Sequence, residues 1–208
     1  MKILDFVQTF HSVPVFSVLD IQKNFPGFES ENLLNWQKKG YLVRVRNGWY
    51  SLSDSIRSLH DLYYVANKIY HPSYISLESA LSHYGWIPEA VFSVTSVTTL
   101  KTKAFESPVG SFFYRTMKPD LFFGYKILSA DGLNIKIAEP EKTLLDFFYF
   151  RTDLHDLEDV ASFRLNLMDI KNTLDMDKLA AYASLFQSKT LDKKVELLKT
   201  VLSNDEPV

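Results

Sequence analysis

Between residues 32 and 49 stand side chains whose types suit nucleic acid: Asn32, Asn35, Lys38, Lys39, Arg44, Arg46 and Trp49. An asparagine amide can pair bidentately with an adenine edge, lysine meets phosphate or guanine, and arginine neutralises phosphate. Trp49, beside the arginines, can stack with Arg46 or pack on the chain that follows. Spacing matters as much as type. Asn32, Asn35 and Lys39 recur at three and four residues, which is one face of a helix, with Lys38 beside them. Arg44 and Arg46 alternate along "LVRVRNGWYSL", which is one face of a strand.

Those faces need elements to carry them. Ile3, Leu4, Phe6, Val7 and Phe10 recur at helical spacing ahead of Pro14, predicting a first helix over residues 2–11. Ser17 can cap a second helix, "VLDIQKNF", which Pro26-Gly27 ends. Ser30 can cap a third, "SENLLNWQKKGYL", with Glu31 in its first turn, Lys38 and Lys39 in its last, and Gly40 as a left-handed stop. Leu33, Leu34 and Tyr41 are expected on its core side. Asn47-Gly48 is the signature of a two-residue type I′ hairpin turn. It would set Arg46 opposite Trp49, Val45 opposite Tyr50, Arg44 opposite Ser51 and Val43 opposite Leu52. Val43, Val45, Tyr50 and Leu52 would then share an apolar face, and Arg44, Arg46, Trp49 and Ser51 a cationic one. This is the order of a winged helix-turn-helix, placed in residues 1–54.

Residues 55–71 read as a connecting helix with Ile56, Leu59, Leu62, Tyr63 and Ile69 buried, ended by His71-Pro72. From 72 to 208 the pattern mixes helix and strand. "SLESALSHYG" is a short helix stopped by Gly85; "VFSVTSVTTL" and "GSFFYRTM" are strands, and "GYKILSADGLNIKIA" is a hairpin turning at Asp131-Gly132. "EPEKTLLDFFYF" starts a buried helix with Pro140 in its first turn, and about three more helices follow. The expected fold class is α+β: an N-terminal winged helix-turn-helix followed by a mixed domain in which an antiparallel sheet is packed by C-terminal helices.

Other chemistries find little support. The net charge of -2 does not advertise nucleic acid, although residues 1–60 alone carry more Lys and Arg than Asp and Glu. The absence of cysteine excludes disulfides and thiolate metal sites and fits a reducing cytoplasm. No signal-peptide pattern opens the chain, and no apolar run reaches the roughly 20 residues of a membrane span, so no membrane partner is expected. G-x-S-x-G, P-loop, G-x-G-x-x-G and H-E-x-x-H patterns are absent. The histidines at 11, 60, 71, 83 and 155 never fall at i, i+4. Asp153, His155, Asp156, Glu158 and Asp159 could hold a metal, but the acidic first turn of a helix explains them more simply. Glu139, Glu141 and Asp146 suggest paired carboxylates, which a helix start also explains. Lys142 with the hydroxyl run "SVTSVTT" could suggest phosphoryl transfer, yet Ser and Thr alternating with Val suit a half-exposed strand. No cofactor and no enzymatic activity are expected.

Three stretches carry a family resemblance: "WQKKGYLVRVRNGWYSL", "YISLESALSHYGWIPE" with "SVTSVTTLKTKAFESPVGSFFY" after it, and "KIAEPEKTLLDFFY". Across residues 36–150 the chain resembles the AbiEi antitoxins, transcriptional regulators of bacterial abortive-infection toxin-antitoxin systems directed against phage. The resemblance implies an N-terminal domain that binds operator DNA and represses its own operon. It implies a C-terminal domain that counters a nucleotidyltransferase-like toxin without a stable complex. Asn32, Asn35, Lys38, Lys39, Arg44 and Arg46 match the recognition helix and wing; no catalytic residue carries over. The alternatives are a winged helix that binds protein, and an antitoxin whose C-terminal domain acts enzymatically.

Overall fold

Ring packing around Phe6 organises the N-terminal residues. In the computed structural model, which describes residues 2–88 and 93–204, the rings of Phe10, Phe16, Phe25, Phe28 and Trp36 lie 4.7 to 6.0 Å from that of Phe6. Buried aromatics of this kind supply most of a small core's apolar area. They bring together α1 (Ile3–Phe10), α2 (Val18–Asn24) and α3 (Glu31–Lys38). Ser17 starts α2 as a capping box: its hydroxyl accepts from the Asp20 amide at 3.2 Å, and the Asp20 carboxylate accepts from the Ser17 amide at 2.7 Å. Ser30 does not cap α3 as expected. Its backbone is already helical and its side chain makes no cap bond; the chain enters through a turn in which the Asn32 and Leu33 amides donate to the Glu29 and Ser30 carbonyls. The helix ends as the sequence predicts. Gly40 takes φ +75°, and the Gly40 and Tyr41 amides close back onto Gln37 and Trp36.

The hairpin differs from its expected form. β1 (Phe16–Ser17), β2 (Leu42–Arg46) and β3 (Trp49–Leu52) form an antiparallel sheet in the order β1-β3-β2. Arg46 pairs with Trp49 as expected, but Arg44 then pairs with Tyr50, Val43 with Ser51 and Leu42 with Leu52. Gly48 is left-handed and Asn47 is not, so the turn is not type I′, and an irregularity at Val45 shifts the register by one residue. Tertiary packing explains the shift. Leu42 and Leu52 serve the Phe6 core, whereas Val45 packs into a second core beyond it.

The second core forms on α4 (Leu59–Ile69), which Ser58 and Asp61 start with another capping box. Its inner face is Tyr63, Val65, Ala66 and Ile69, while Leu59, expected inside, is exposed. α4 lies against one face of a six-stranded sheet ordered β6-β7-β5-β4-β9-β8. In chain order the strands are β4 (Ser73–Ile75), β5 (Ser93–Thr98), β6 (Lys103–Ser107), β7 (Gly110–Thr116), β8 (Tyr125–Ala130) and β9 (Leu133–Ala138). The expected antiparallel sheet is in fact mixed: β5 runs parallel to β7 and β4 to β9. The β6–β7 hairpin places β6 on the outer edge, which turns β7 parallel to β5. Asp131-Gly132 makes the predicted tight turn between β8 and β9, both residues left-handed.

Alternation along the strands sends Ile75, Val94 and Ile135 towards α4, and Tyr74 and Val97 towards the opposite face. Part of that face is covered by α5 (Leu77–His83) and α6 (Pro140–Phe150); α9 (Met176–Leu185) and α10 (Lys189–Asn204) pack on α6, and α7 (Leu157–Ser162) and α8 (Leu167–Thr173) pack on α10. α8 is an addition to the helices expected of the tail. Among the described residues, no helix is long and apolar enough to cross a membrane.

Candidate nucleic-acid interface

The outer face of α3 is bare. Leu33 and Trp36 turn inward, leaving Asn35, Lys38 and Lys39 exposed and Asn32 half-buried. Glu31, in the first turn, shares this exposed side. Gln37 is occupied by its own helix, its amide donating to the Leu33 carbonyl at 2.9 Å. Arg44 is exposed on β2, where its guanidinium donates to the Asn47 side chain at 2.9 Å across the turn. That bond holds a cation at the hairpin tip without neutralising it. Asn35, Lys38, Lys39 and Arg44 thus remain open to a partner.

Two of the expected contact residues are turned elsewhere. Because the register shifts at Val45, the guanidinium of Arg46 donates to the Ile69 carbonyl at the end of α4. It lies over the rings of Phe105 and Tyr70, at 4.5 and 5.2 Å from their centroids. Cation–π contacts of this geometry contribute about 0.5–2 kcal/mol. Arg46 therefore fastens the hairpin to the six-stranded sheet. Trp49 packs, half-buried, against the same α4 core, the second of the two roles open to it from sequence. Ser51, expected on the cationic face, is fully buried and donates to the Pro14 carbonyl at 2.8 Å. The predicted division into one apolar and one cationic face does not hold, since both faces of this hairpin meet protein.

The surface also contains residues that sequence reasoning placed inside. Leu34 is 62% exposed and Tyr41 is 46% exposed. Leu34 follows Leu33, and only one of two consecutive helical residues can face the core squarely. Tyr41 lies just past the glycine stop. Both add apolar surface beside the cations.

The residues weighed for other chemistries make contacts within the fold. Asp156 and Asp159 cap α7 reciprocally, the Asp159 amide donating to Asp156 at 2.9 Å and the Asp156 amide to Asp159 at 3.2 Å. Glu139 and Glu141 share the Lys178 ammonium at 3.3 and 3.2 Å. Burial opposes that charge, but the two carboxylates outweigh it and raise the Lys178 pKa. Lys142 and Asp146 form an ion pair one turn apart on α6, both fully buried. Asp146 also accepts from the Tyr74 and Ser76 hydroxyls at 2.9 and 2.8 Å. Burial pulls the lysine pKa down and pushes the carboxyl up, and their mutual attraction opposes both shifts. With both charged side chains fully buried, this group ties α6 to β4. The chain matches no protein-family model and no curated protein.

Proposed function

We propose that residues 1–54 work as a DNA-binding winged helix in a transcriptional regulator of the AbiEi antitoxin kind. The observation that carries this reading is topological: helix, short strand, two helices and a hairpin, with the sheet ordered β1-β3-β2 and the last helix before the hairpin bare on its outer face. In a winged helix that helix enters the major groove and the hairpin lies along the neighbouring backbone. Asn35 would read base edges, with Asn32 behind it, and Lys38, Lys39 and Arg44 would neutralise phosphates. The target is operator DNA ahead of the chain's own gene. The remaining residues would counter a nucleotidyltransferase-like toxin in the cytoplasm, without catalysis of their own. Leu34 and Tyr41 favour a second reading, in which the same face docks on another protein.

Salt-titrated binding to the DNA upstream of the gene separates the two. Sequence-specific binding should weaken steeply with salt, and removing Lys38, Lys39 and Arg44 together should flatten the log–log salt slope by about 2 to 3. Arg46→Ala should leave that slope unchanged, because its guanidinium is turned away to the Ile69 carbonyl and the rings of Tyr70 and Phe105. Absence of binding at low salt would eliminate the DNA reading. Full-length protein lacking the three cations tests the antitoxin half: it should lose repression and still rescue cells from the toxin supplied from a second promoter.

A further inference from the structure

On the sheet face away from α4, Thr95 of β5 pairs with Phe113 of β7, and Arg115 stands two residues further along β7. A cleft of about 690 Å³ opens here between the strands and the C-terminal end of α6. That volume lies within the range of small-molecule sites. Phe113 is 41% exposed in the interior of a strand whose flanking residues, Phe112 and Tyr114, are buried on the other face. The two guanidiniums of the cleft are in different states. Arg151 is held by Glu78 at 3.2 Å and Asp153 at 3.6 Å, and lies over the rings of Phe147 and Phe163. Arg115 is exposed, stacked on Phe150 at 5.0 Å, and meets no carboxylate within ion-pairing distance among the described residues. The floor is fixed, since the Thr95 hydroxyl donates to the Ser76 carbonyl at 2.8 Å and accepts from the Ser79 amide at 3.0 Å.

We infer that this cleft binds a nucleoside phosphate, its base stacked on Phe113 and its phosphate on Arg115. An inorganic anion would need only the guanidinium, and a purely apolar ligand would leave it unpaired. A ligand with a flat ring next to a phosphate uses both. Open sheet faces that present an aromatic beside a cation take bases in this way, because every base has a π face. Glu78 and Asp153 at the rim supply acceptors of the type that exocyclic amino groups need. The site is built from different elements from the α3 surface and does not depend on the DNA reading.

The test is calorimetry on the full chain with AMP, GMP, CMP and UMP, and fluorescence anisotropy with a labelled single-stranded oligonucleotide. Phe113 and Arg115 are exposed, so Phe113→Ala and Arg115→Ala should keep the thermal midpoint. Each should weaken nucleotide binding about tenfold or more, with Arg115→Lys intermediate. Loss of Lys38, Lys39 and Arg44 should leave it unchanged. Tighter binding of the oligonucleotide than of any monomer, lost in the same variants, assigns the source to a single strand; equal affinity assigns it to free nucleotide. No saturable binding of any of these probes overturns the inference. So does binding insensitive to Phe113→Ala, or competition by a hexaglutamate peptide as strong as that by nucleotide.

Discussion

Lys142 and Asp146 show how one residue's role changes with burial. As sequence, a lysine near a hydroxyl-rich strand suggests phosphate chemistry; in the fold its ammonium is enclosed with Asp146, Tyr74 and Phe186. Burial of each charge is tolerated only because the other is there, so removing one leaves an uncompensated group. Asp146→Asn should cost about 3–5 kcal/mol in denaturant unfolding, and Lys142→Met a comparable amount. In the double variant the asparagine can still accept from Tyr74 and Ser76, and no lone charge remains. The double variant should therefore be more stable than the sum of the single losses implies, by about 1–3 kcal/mol. Strict additivity would show that the pair does not act as a unit.

At the scale of elements, most local signals were legible where a side chain acts on its own backbone, with Ser30 and Asn47-Gly48 as exceptions. Ser17, Gly40, Pro140 and the Asp131-Gly132 turn all do what their types predict. Other misses come from tertiary demand. Ser73, Tyr74 and Ile75 of β4 are all buried, so no alternation marks the strand, and β1 spans two residues. The shift at Val45 arises because neighbouring β2 residues serve different cores, which no local pattern records. It also redirected Arg46, so the cations on α3 were readable and half of the hairpin's were not. The end of α6 gives a further case. Lys194, sixteen helical residues of α10 notwithstanding, points back to donate to the Phe148 carbonyl at 2.9 Å and to the Arg151 carbonyl. Two terminal carbonyls are thus satisfied by a residue more than forty positions away. Lys194→Met keeps the stem and deletes both bonds. Charge-assisted bonds set the expected loss at about 2–3 kcal/mol, read as a lower denaturant midpoint at constant m-value.

For the molecule as a whole, two couplings follow from what packs against what. The first is to pH. His83 on α5 is half-buried, and burial, His60 and Lys126 all hold its pKa below the ordinary 6.5; His71 is lowered by burial, Lys136 and Lys68. A base with a depressed folded pKa binds fewer protons in the native state than in the unfolded chain. Its contribution is complete above pH 6.5 and is lost as pH falls through the folded value. The thermal midpoint should therefore drop as pH is lowered below 6.5, and His83→Gln should make that drop shallower. The second coupling joins the N-terminal helices to the sheet. Val15 and Val45 belong to the α4 core, Trp49 packs on it, and Arg46 grips Ile69, Tyr70 and Phe105. Trp36 reports the Phe6 core, and Trp86 reports the core beneath α6. If those contacts transmit unfolding, versions of the protein retaining only Trp36 or only Trp86 should give coincident denaturant transitions. Arg46→Met should pull the two curves apart, the Trp36 transition moving to lower denaturant, because it cuts the tie while leaving both cores packed. Separate transitions in the parent protein would mean that the hairpin's grip on the sheet is too weak to couple them.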